Sequence, residues 1–228
     1  MPQDFNEIAF KVDRRLKSAR LYRGVDGSVE VRSPSTLSKR SISKIINQIE
    51  SGTIKLPPAP SSLKYPNSIH TPITGKTFKI SYVTRADSIR KVEINQESVS
   101  IVAPSPAELS LCLGDLLKRI SRDPLSNLLK SHLDRLGYEA RTIRIGLPKG
   151  RWASRSSTGT ISLNARLILL KSHLVEGVIL HEISHIAHMN HSKEFYRHLE
   201  ELDPNYRERR NEINAAQANF EPWVRSIR

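Results

Sequence analysis

The sequence predicts an α+β fold in which a strand-rich first part precedes a helix-rich second part. Apolar and polar residues alternate in much of the chain up to residue 104, leucines recur at helical intervals from Ser105, and an apolar helix with several histidines follows near residue 174. We therefore expect a small β-rich N-terminal lobe over residues 1–104 and a second domain over residues 105–228 that carries the chemistry.

Turn residues separate the predicted elements of the first lobe. Two alternating runs flank residues 25–28, Val-Asp-Gly-Ser, and an Asp-Gly between such runs predicts a β-hairpin. Isoleucines at helical spacing predict a short helix that ends at Gly52. Residues 53–72 contain five prolines and predict a linker or irregular loop. Residues 77–85 and 91–104 predict two further strands.

The second domain begins with helical periodicity and continues with strands. The leucine spacing over residues 105–137 predicts two helices, followed by a strand over 139–148 and by a strand over 160–170 that runs into a turn or short helix. A third helix is expected from about Leu174 to Met189. The expected boundary residues of the first two helices are Ser105 or Ser110 and Asp123 as caps, Pro124 at a first helical position and Gly137 as a stop.

Composition excludes several classes of protein. The chain has 228 residues, of which 38% are apolar and 26% are charged, as expected for a soluble globular protein. Its single cysteine, Cys112, excludes an internal disulfide and a cysteine-based metal site. Charges interrupt the N-terminal residues, and no run approaches the roughly 18 apolar residues of a membrane helix. We expect a cytoplasmic protein with no membrane partner.

The net charge is strongly positive. Lys and Arg number 36 and Asp and Glu number 23, so the formal charge is +13, which favours a polyanionic partner. The excess is uneven, because residues 139–171 have seven basic and one acidic residue, 7 − 1 = +6, directly before the histidine-rich segment.

The residues His181-Glu182-Ile183-Ser184-His185 form an H-E-x-x-H motif within the third predicted helix. Residues four apart share one face of a helix, so both imidazoles can reach one metal ion, with Glu182 beside the open coordination position. A hydrolytic zinc site also needs a third protein ligand, an exchangeable water and a carboxylate that accepts the water's proton.

We predict His191 as the third ligand. It follows Met189 and Asn190, where Asn in a left-handed conformation can end a helix and turn the chain back, and Ser192 can cap a following helix. The alternatives for the third ligand are His188, His198 and an acidic residue, Glu194 or Glu200.

These segments resemble the YgjP-like family of zinc metallopeptidase-type hydrolases, which are related to the SprT and WLM minimal zincins. The resemblance is clearest over residues 139–206 and is looser at the Gly27–Val31 hairpin. The matching residues are Arg151, Trp152, Ser154, Ser156, Gly159, Leu163, Asn164, His181, Glu182, His185, Asn190, His191, Ser192 and Phe195. The departures are Ala153 for Gly, Arg155 for Cys and Ser172 for Pro.

The resemblance implies a zincin-like core, with an active-site helix against a mixed sheet. It implies one Zn²⁺, or another divalent metal, held by His181, His185 and His191, and Glu182 as the general base. The leading hypothesis is therefore a metallopeptidase in which a Glu-activated, zinc-bound water attacks a peptide carbonyl. The first alternative is a nucleoside triphosphate pyrophosphatase that uses the same site.

The basic segment before the motif offers candidate substrate-binding residues, and two interpretations stay open. Backbone groups near Trp152 to Ser154 could pair with an extended peptide substrate, or arginines including Arg151 and Arg155 could bind phosphates. The structural alternative is that Trp152 packs in the core and that the arginines are solvated. Tyr206 is a candidate oxyanion donor, with a packing role favoured. A nucleic-acid-associated module is a third, less favoured hypothesis, because no nucleic-acid-binding motif is present.

The phosphate interpretation also includes Arg144, Lys149 and Arg166. The oligomeric state cannot be predicted from the sequence.

Overall fold

The computed structural model describes residues 8–14, 16, 18–23, 29–54 and 64–227. The chain divides into two compact units, residues 1–64 and 65–228. Both contain strands and helices, which confirms the predicted α+β class and the β-rich N-terminal region.

The first unit contains a three-stranded sheet and one helix. The central strand, β3, pairs in parallel with β1 and antiparallel with β2. The β2–β3 pair agrees with the predicted hairpin, whose turn at residues 25–28 lies outside the described residues. Helix α1 is followed by Gly52 with a φ of 70°, as predicted. The elements are β1 (Ile8–Val12), β2 (Arg20–Arg23), β3 (Val29–Ser33) and α1 (Lys39–Glu50).

The second unit begins with a four-stranded sheet in the order β4-β5-β7-β6. The single strand predicted over residues 91–104 is wrong: the chain turns at Gln96, whose φ is 54°, and its two halves pair antiparallel. A turn without Gly or Pro gives only a weak sequence signal. Part of the predicted loop over 53–72 is also a strand, while residues 55–63 are not described. The strands are β4 (Ser68–Thr71), β5 (Lys76–Thr84), β6 (Lys91–Asn95) and β7 (Ser98–Ala103).

Helix α2, Pro106–Leu136, is continuous, so the prediction of two helices is wrong. Pro124 lies inside it, where it cannot donate a backbone hydrogen bond. The helix continues because its two halves belong to two hydrophobic clusters, with Leu116 in one and Leu125 in the other, both fully buried. Tertiary packing therefore outweighs the local preference of proline. Gly137 ends the helix in the left-handed conformation, as predicted.

A second, mixed sheet has the order β8-β10-β9, with β10 parallel to β8 and antiparallel to β9. Strand β9 is therefore an edge strand, and helix α3 packs beside it. A 3-10 helix, Ala165–Leu169, follows β10, in agreement with the predicted turn or short helix. The remaining elements are β8 (Thr142–Gly146), β9 (Ala153–Arg155), β10 (Thr160–Asn164), α3 (Ser172–Ala187), α4 (Lys193–Leu202), α5 (Tyr206–Ala218) and α6 (Pro222–Ser226).

The division into compact units falls at residue 64, whereas the predicted domain boundary falls at residue 104. Strands β4 to β7 share a hydrophobic cluster with the first half of α2. The independent folding of residues 105–228 stays a prediction. Among the described residues, no helix has the length and hydropathy that a bilayer-spanning segment requires.

Candidate metal centre

Helix α3 carries the H-E-x-x-H motif on one face and core residues on another. Val175, Ile179 and Ile183 are fully buried in the cluster shared with α2 and β10, which fixes the rotation of the helix. The rings of His181 and His185, one turn apart, have centroids 5.0 Å apart. The apolar contacts of the helix thus hold both imidazoles on the same side.

His191 lies next to these two rings because the chain changes direction between α3 and α4. Helix α3 gives way to extended backbone at His188, with φ −134° and ψ 103°, and Ser192 caps α4 by accepting a hydrogen bond from the Phe195 N–H. The prediction of a left-handed Asn190 is wrong, because among described non-glycine residues only Gln96 has a positive φ. The extended conformation of His188 ends the helix instead.

The three imidazoles converge. The ring of His191 lies 5.1 Å from that of His181 and 4.8 Å from that of His185, and the candidate ligand atoms of the three lie within 4.8 Å of one another. The Nε2 atoms of His191 and His181 are 3.1 Å apart. Two nitrogens bound tetrahedrally at about 2.0–2.1 Å from zinc would be about 3.3 Å apart, so this pair fits one ion.

The Phe195 ring contacts all three imidazole rings. Its side chain is fully buried, and its ring centroid lies 5.1 Å, 4.6 Å and 4.7 Å from those of His181, His185 and His191. An aromatic ring in contact with all three imidazoles limits their rotation, so the nitrogens stay convergent without a bound ion.

His181 and His185 have pKa values that favour the neutral form, which binds a metal. Burial, with the nearby His185, His191 and Arg210, lowers the pKa of His181 to about 4, and burial also lowers the pKa of His185. Neutral imidazole is the form that coordinates a metal ion. The Nδ1 of His185 lies 3.0 Å from the carbonyl oxygen of His188; donation across this contact leaves Nε2 free for a metal.

Glu182 lies next to the first histidine and is 5% exposed. Burial raises the pKa of its carboxyl group to about 7, while a hydrogen bond from the backbone N–H of Arg155 and the charges of Arg151 and Arg155 act in the opposite direction. Its Oε2 atom has no hydrogen-bond partner among the described residues. A carboxyl group that titrates near neutrality and keeps one free oxygen is suited to accept and release a proton.

These side chains open into a cavity of about 580 Å³. Its wall includes His181, Glu182 and His191 together with Trp152 from the loop before β9 and Tyr206 from the start of α5. Several basic residues complete the wall: Arg151, Arg209 and Arg210. The cavity that contains the carboxyl group therefore has a basic wall.

The family model described as "YgjP-like, metallopeptidase domain" matches residues 17–216, which is most of the chain. The chain belongs to the YgjP-like metallopeptidase family. It is therefore a metallopeptidase-type hydrolase, and the family resemblance expected from the sequence is confirmed.

Two solved structures are also similar. The metallopeptidase zymogen abylysin of Pyrococcus abyssi is 28% identical, with a TM-score of 0.37, and the match covers 40% of this chain and 93% of abylysin. The metallopeptidase zymogen jannalysin of Methanocaldococcus jannaschii is 26% identical, also with a TM-score of 0.37, and the match covers 41% of this chain and 96% of jannalysin. A comparison with curated proteins found no match.

The other candidate ligands of this YgjP-like chain lie outside the histidine group. The only group of three or more potential ligands in the described part of the chain is His181, His185 and His191. His198 contacts the Tyr138 hydroxyl, 3.2 Å away, while Glu194 is exposed at the start of α4 and Glu200 lines a separate cavity.

The predicted substrate residues are divided between the cavity and its surroundings. Arg151, Trp152 and Tyr206 line the cavity. Ser154 and the Arg155 side chain do not line it: Ser154 is opposite Ser162 on β10, and the Arg155 guanidinium donates a hydrogen bond to the His185 carbonyl oxygen at 3.1 Å.

Arg166 is buried, so its predicted phosphate-binding role is wrong. It is 8% exposed, and its guanidinium donates hydrogen bonds to the carbonyl oxygens of Val224 at 2.9 Å, Ile227 at 2.7 Å and Pro148 at 3.3 Å. Its donors are thus used inside the protein. Arg144 is exposed on β8, at the opposite edge of the sheet from β9.

Three cavity residues of α4 and α5, Tyr196, Arg209 and Arg210, were not predicted from the sequence. The Tyr196 ring stacks with the rings of His191 and Tyr206, with centroids 6.0 Å and 6.1 Å away. The segment Arg207-Glu-Arg-Arg looks like a solvated helix face, so only the tertiary structure identifies its position at the cavity.

Proposed function

We propose that this YgjP-like chain is a zinc-dependent metallopeptidase in which His181, His185 and His191 hold the metal and Glu182 is the general base. The observation that carries the proposal is the convergence of three imidazoles beside the buried carboxyl group of Glu182. Three histidines leave one tetrahedral position open, as hydrolytic zinc sites require. Imidazole also suits other divalent transition metals, so another such ion could bind the same three histidines.

When bound, a zinc ion supplies Lewis-acid activation of a water molecule and of the substrate carbonyl oxygen. The chain's own part is proton transfer. Glu182 accepts the proton of the attacking water on its free Oε2 and then gives it to the amine that leaves the cleaved peptide bond. Its pKa near 7 suits both steps, because the group can be charged before the attack and protonated after it.

The open edge of β9 supports a peptide as the substrate. The backbone N–H of Asn164 donates to the Trp152 carbonyl at 2.8 Å, and that of Ser156 donates to the Thr160 carbonyl at 2.9 Å. By the alternation of an antiparallel pair, the backbone groups of Ala153 and Arg155 point away from β10. The Arg155 N–H reaches Glu182, so Ala153 has the backbone groups best placed to pair with an extended substrate.

Arg151, Trp152 and Tyr206 are proposed to contact that substrate, Tyr206 as a hydroxyl donor to the developing oxyanion. Ser154 and Arg155 are proposed to contribute through β9 itself: Ser154 pairs with β10, and Arg155 fixes Glu182 and the end of α3.

The decisive experiment compares metal-loaded parent and Glu182→Gln proteins on a peptide library and on nucleoside triphosphates. We expect the parent to cleave peptides, and Glu182→Gln to lose at least about a hundredfold in kcat with its metal retained. The exposed Glu201→Gln serves as a matched control with parental activity. Hydrolysis of triphosphates without any peptide cleavage would replace this proposal with the pyrophosphatase alternative.

A further inference from the structure

Two basic grooves adjoin the cavity that contains the histidines. The first has a volume of about 780 Å³ and shares Arg151 and Trp152 with that cavity. Lys149 and Arg225 add two further cations, and no Asp or Glu of the described residues lines this groove. Asn164 fixes its rim by donating hydrogen bonds to the carbonyl oxygens of Pro148 and Arg151 at 3.0 Å and 2.9 Å.

The second groove, of about 740 Å³, lies between α4 and α5 and shares Tyr196, Tyr206 and Arg210 with the histidine cavity. It has one acidic residue, Glu200. Its basic residues are Lys193, Arg197, Arg207 and Arg210. Positive charge therefore adjoins the histidine cavity in two grooves.

The basic residues of these cavities differ in their ion pairs. Arg209 forms ion pairs with Asp203 at 3.5 Å and Glu176 at 4.0 Å. In contrast, within residues 64–227 no ion pair with a carboxylate involves Arg151, Arg210 or Lys193. The first two of these residues, Arg151 and Arg210, line the histidine cavity itself.

We infer that the substrate is an acidic peptide, with Asp or Glu side chains near the bond that is cleaved. This inference rests on the proposed function and adds a substrate class to it. Cations in two grooves that adjoin the cleavage site attract a peptide whose negative charges lie near that site, and they disfavour a basic peptide.

The site favours an acidic peptide over a nucleic acid. Binding of single strands relies on aromatic faces on which bases stack. The aromatic rings here already contact other rings: Tyr196 contacts His191 and Tyr206, with centroids 6.0 Å and 6.1 Å away, and the Trp152 and Phe220 centroids are 5.7 Å apart. The free edge at Ala153 offers backbone hydrogen bonds that match a peptide.

The test uses metal-loaded protein and three fluorogenic peptides of equal length, with the same central residues and flanks of Glu, Gln or Lys. We expect kcat/KM to fall in that order, with the Glu peptide about tenfold above the Gln peptide at low salt and less at high salt. Arg225→Glu in the first groove and Lys193→Glu in the second should each reduce the Glu-to-Gln ratio about two- to fivefold. Lys130→Glu, on the exposed side of α2, makes the same charge change outside both grooves and should leave the ratio unchanged.

A Glu-to-Gln ratio near one, with the Gln peptide cleaved, would overturn the inference and leave the proposed function intact. If no peptide is cleaved, the proposed function fails, and binding then tests the charge preference separately. Fluorescence anisotropy with Glu182→Gln protein should show tighter binding of the labelled Glu peptide than of the Lys peptide or of a single-stranded oligonucleotide of equal charge. Tighter binding of the oligonucleotide would overturn the inference.

Discussion

The ring of His188 lies outside the histidine group, yet the carbonyl oxygen of the same residue contacts the Nδ1 of His185 at 3.0 Å. The main chain at the end of α3 thus orients a metal-binding candidate, while the His188 side chain faces His198, with ring centroids 5.7 Å apart. Two histidines close in sequence, His188 and His191, therefore have separable roles.

We expect His191→Ala to lose most of its bound zinc, because only two imidazoles remain. His188→Ala should keep its zinc, since the substitution preserves the backbone carbonyl. Elemental analysis of both purified proteins checks this. Full occupancy in His191→Ala would refute the assignment of the third ligand.

Glu182 should make the stability of the metal-free protein depend on pH. Its pKa is raised by folding from 4.5 to about 7, so the folded state binds the proton more tightly than the unfolded state. The Glu182 charge therefore lowers the free energy of unfolding. This effect is absent below pH 4.5, grows up to pH 7 and then stays constant at roughly 3 kcal/mol. Glu182→Gln should therefore unfold at higher urea concentration than the parent at pH 8 and at a similar one at pH 4. The exposed Glu201→Gln should differ from the parent by less than about 0.5 kcal/mol at both pH values.

Arg155→Ala should weaken metal binding although Arg155 is not a ligand. Its guanidinium caps the end of α3 through the His185 carbonyl oxygen. Changes in residues that orient metal ligands typically reduce affinity 10- to 100-fold, and we expect about tenfold here. Titration against a chromophoric chelator measures it. The exposed Arg144→Ala on β8 should retain parental affinity, and equal affinity of both variants would exclude an orienting role for Arg155.

Arg166→Met should destabilise the fold by roughly 3 kcal/mol, because the carbonyl oxygens of Val224 and Ile227 would lose their hydrogen-bond donors. Denaturant unfolding measures the loss. The same substitution at the exposed Arg122 should cost less than about 0.5 kcal/mol. If the two variants proved equally stable, the buried hydrogen bonds would contribute nothing to folding.

The grouping of the three histidines could be predicted because its geometry is largely local. The spacing of His181, Glu182 and His185 is set by the helix period, and His191 is only a short turn away. Arg166 shows the opposite case: a basic residue in a basic segment is expected in solvent, and only contacts about 60 residues away in sequence reveal that it is buried.

Local rules also failed where tertiary packing opposed them. Pro124 is typical of a helix start, but the buried leucines on both sides of it keep α2 continuous. The turn at Gln96 has no glycine to indicate it, so one strand was predicted where a hairpin exists. The basic grooves could not be predicted, because they combine residues of the loop before β9 with residues of α4, α5 and α6.

The hydrogen bonds of Arg166 have a consequence for the order of assembly during synthesis. They join the loop that carries Arg151 to residues 224–227, which leave the ribosome about 60 residues after Arg166 itself. A nascent chain that already contains all three histidines and Glu182 still lacks residues 224–226, which complete the wall of the first groove. Metal-binding competence can therefore arise earlier in translation than a complete surface for recognising substrate.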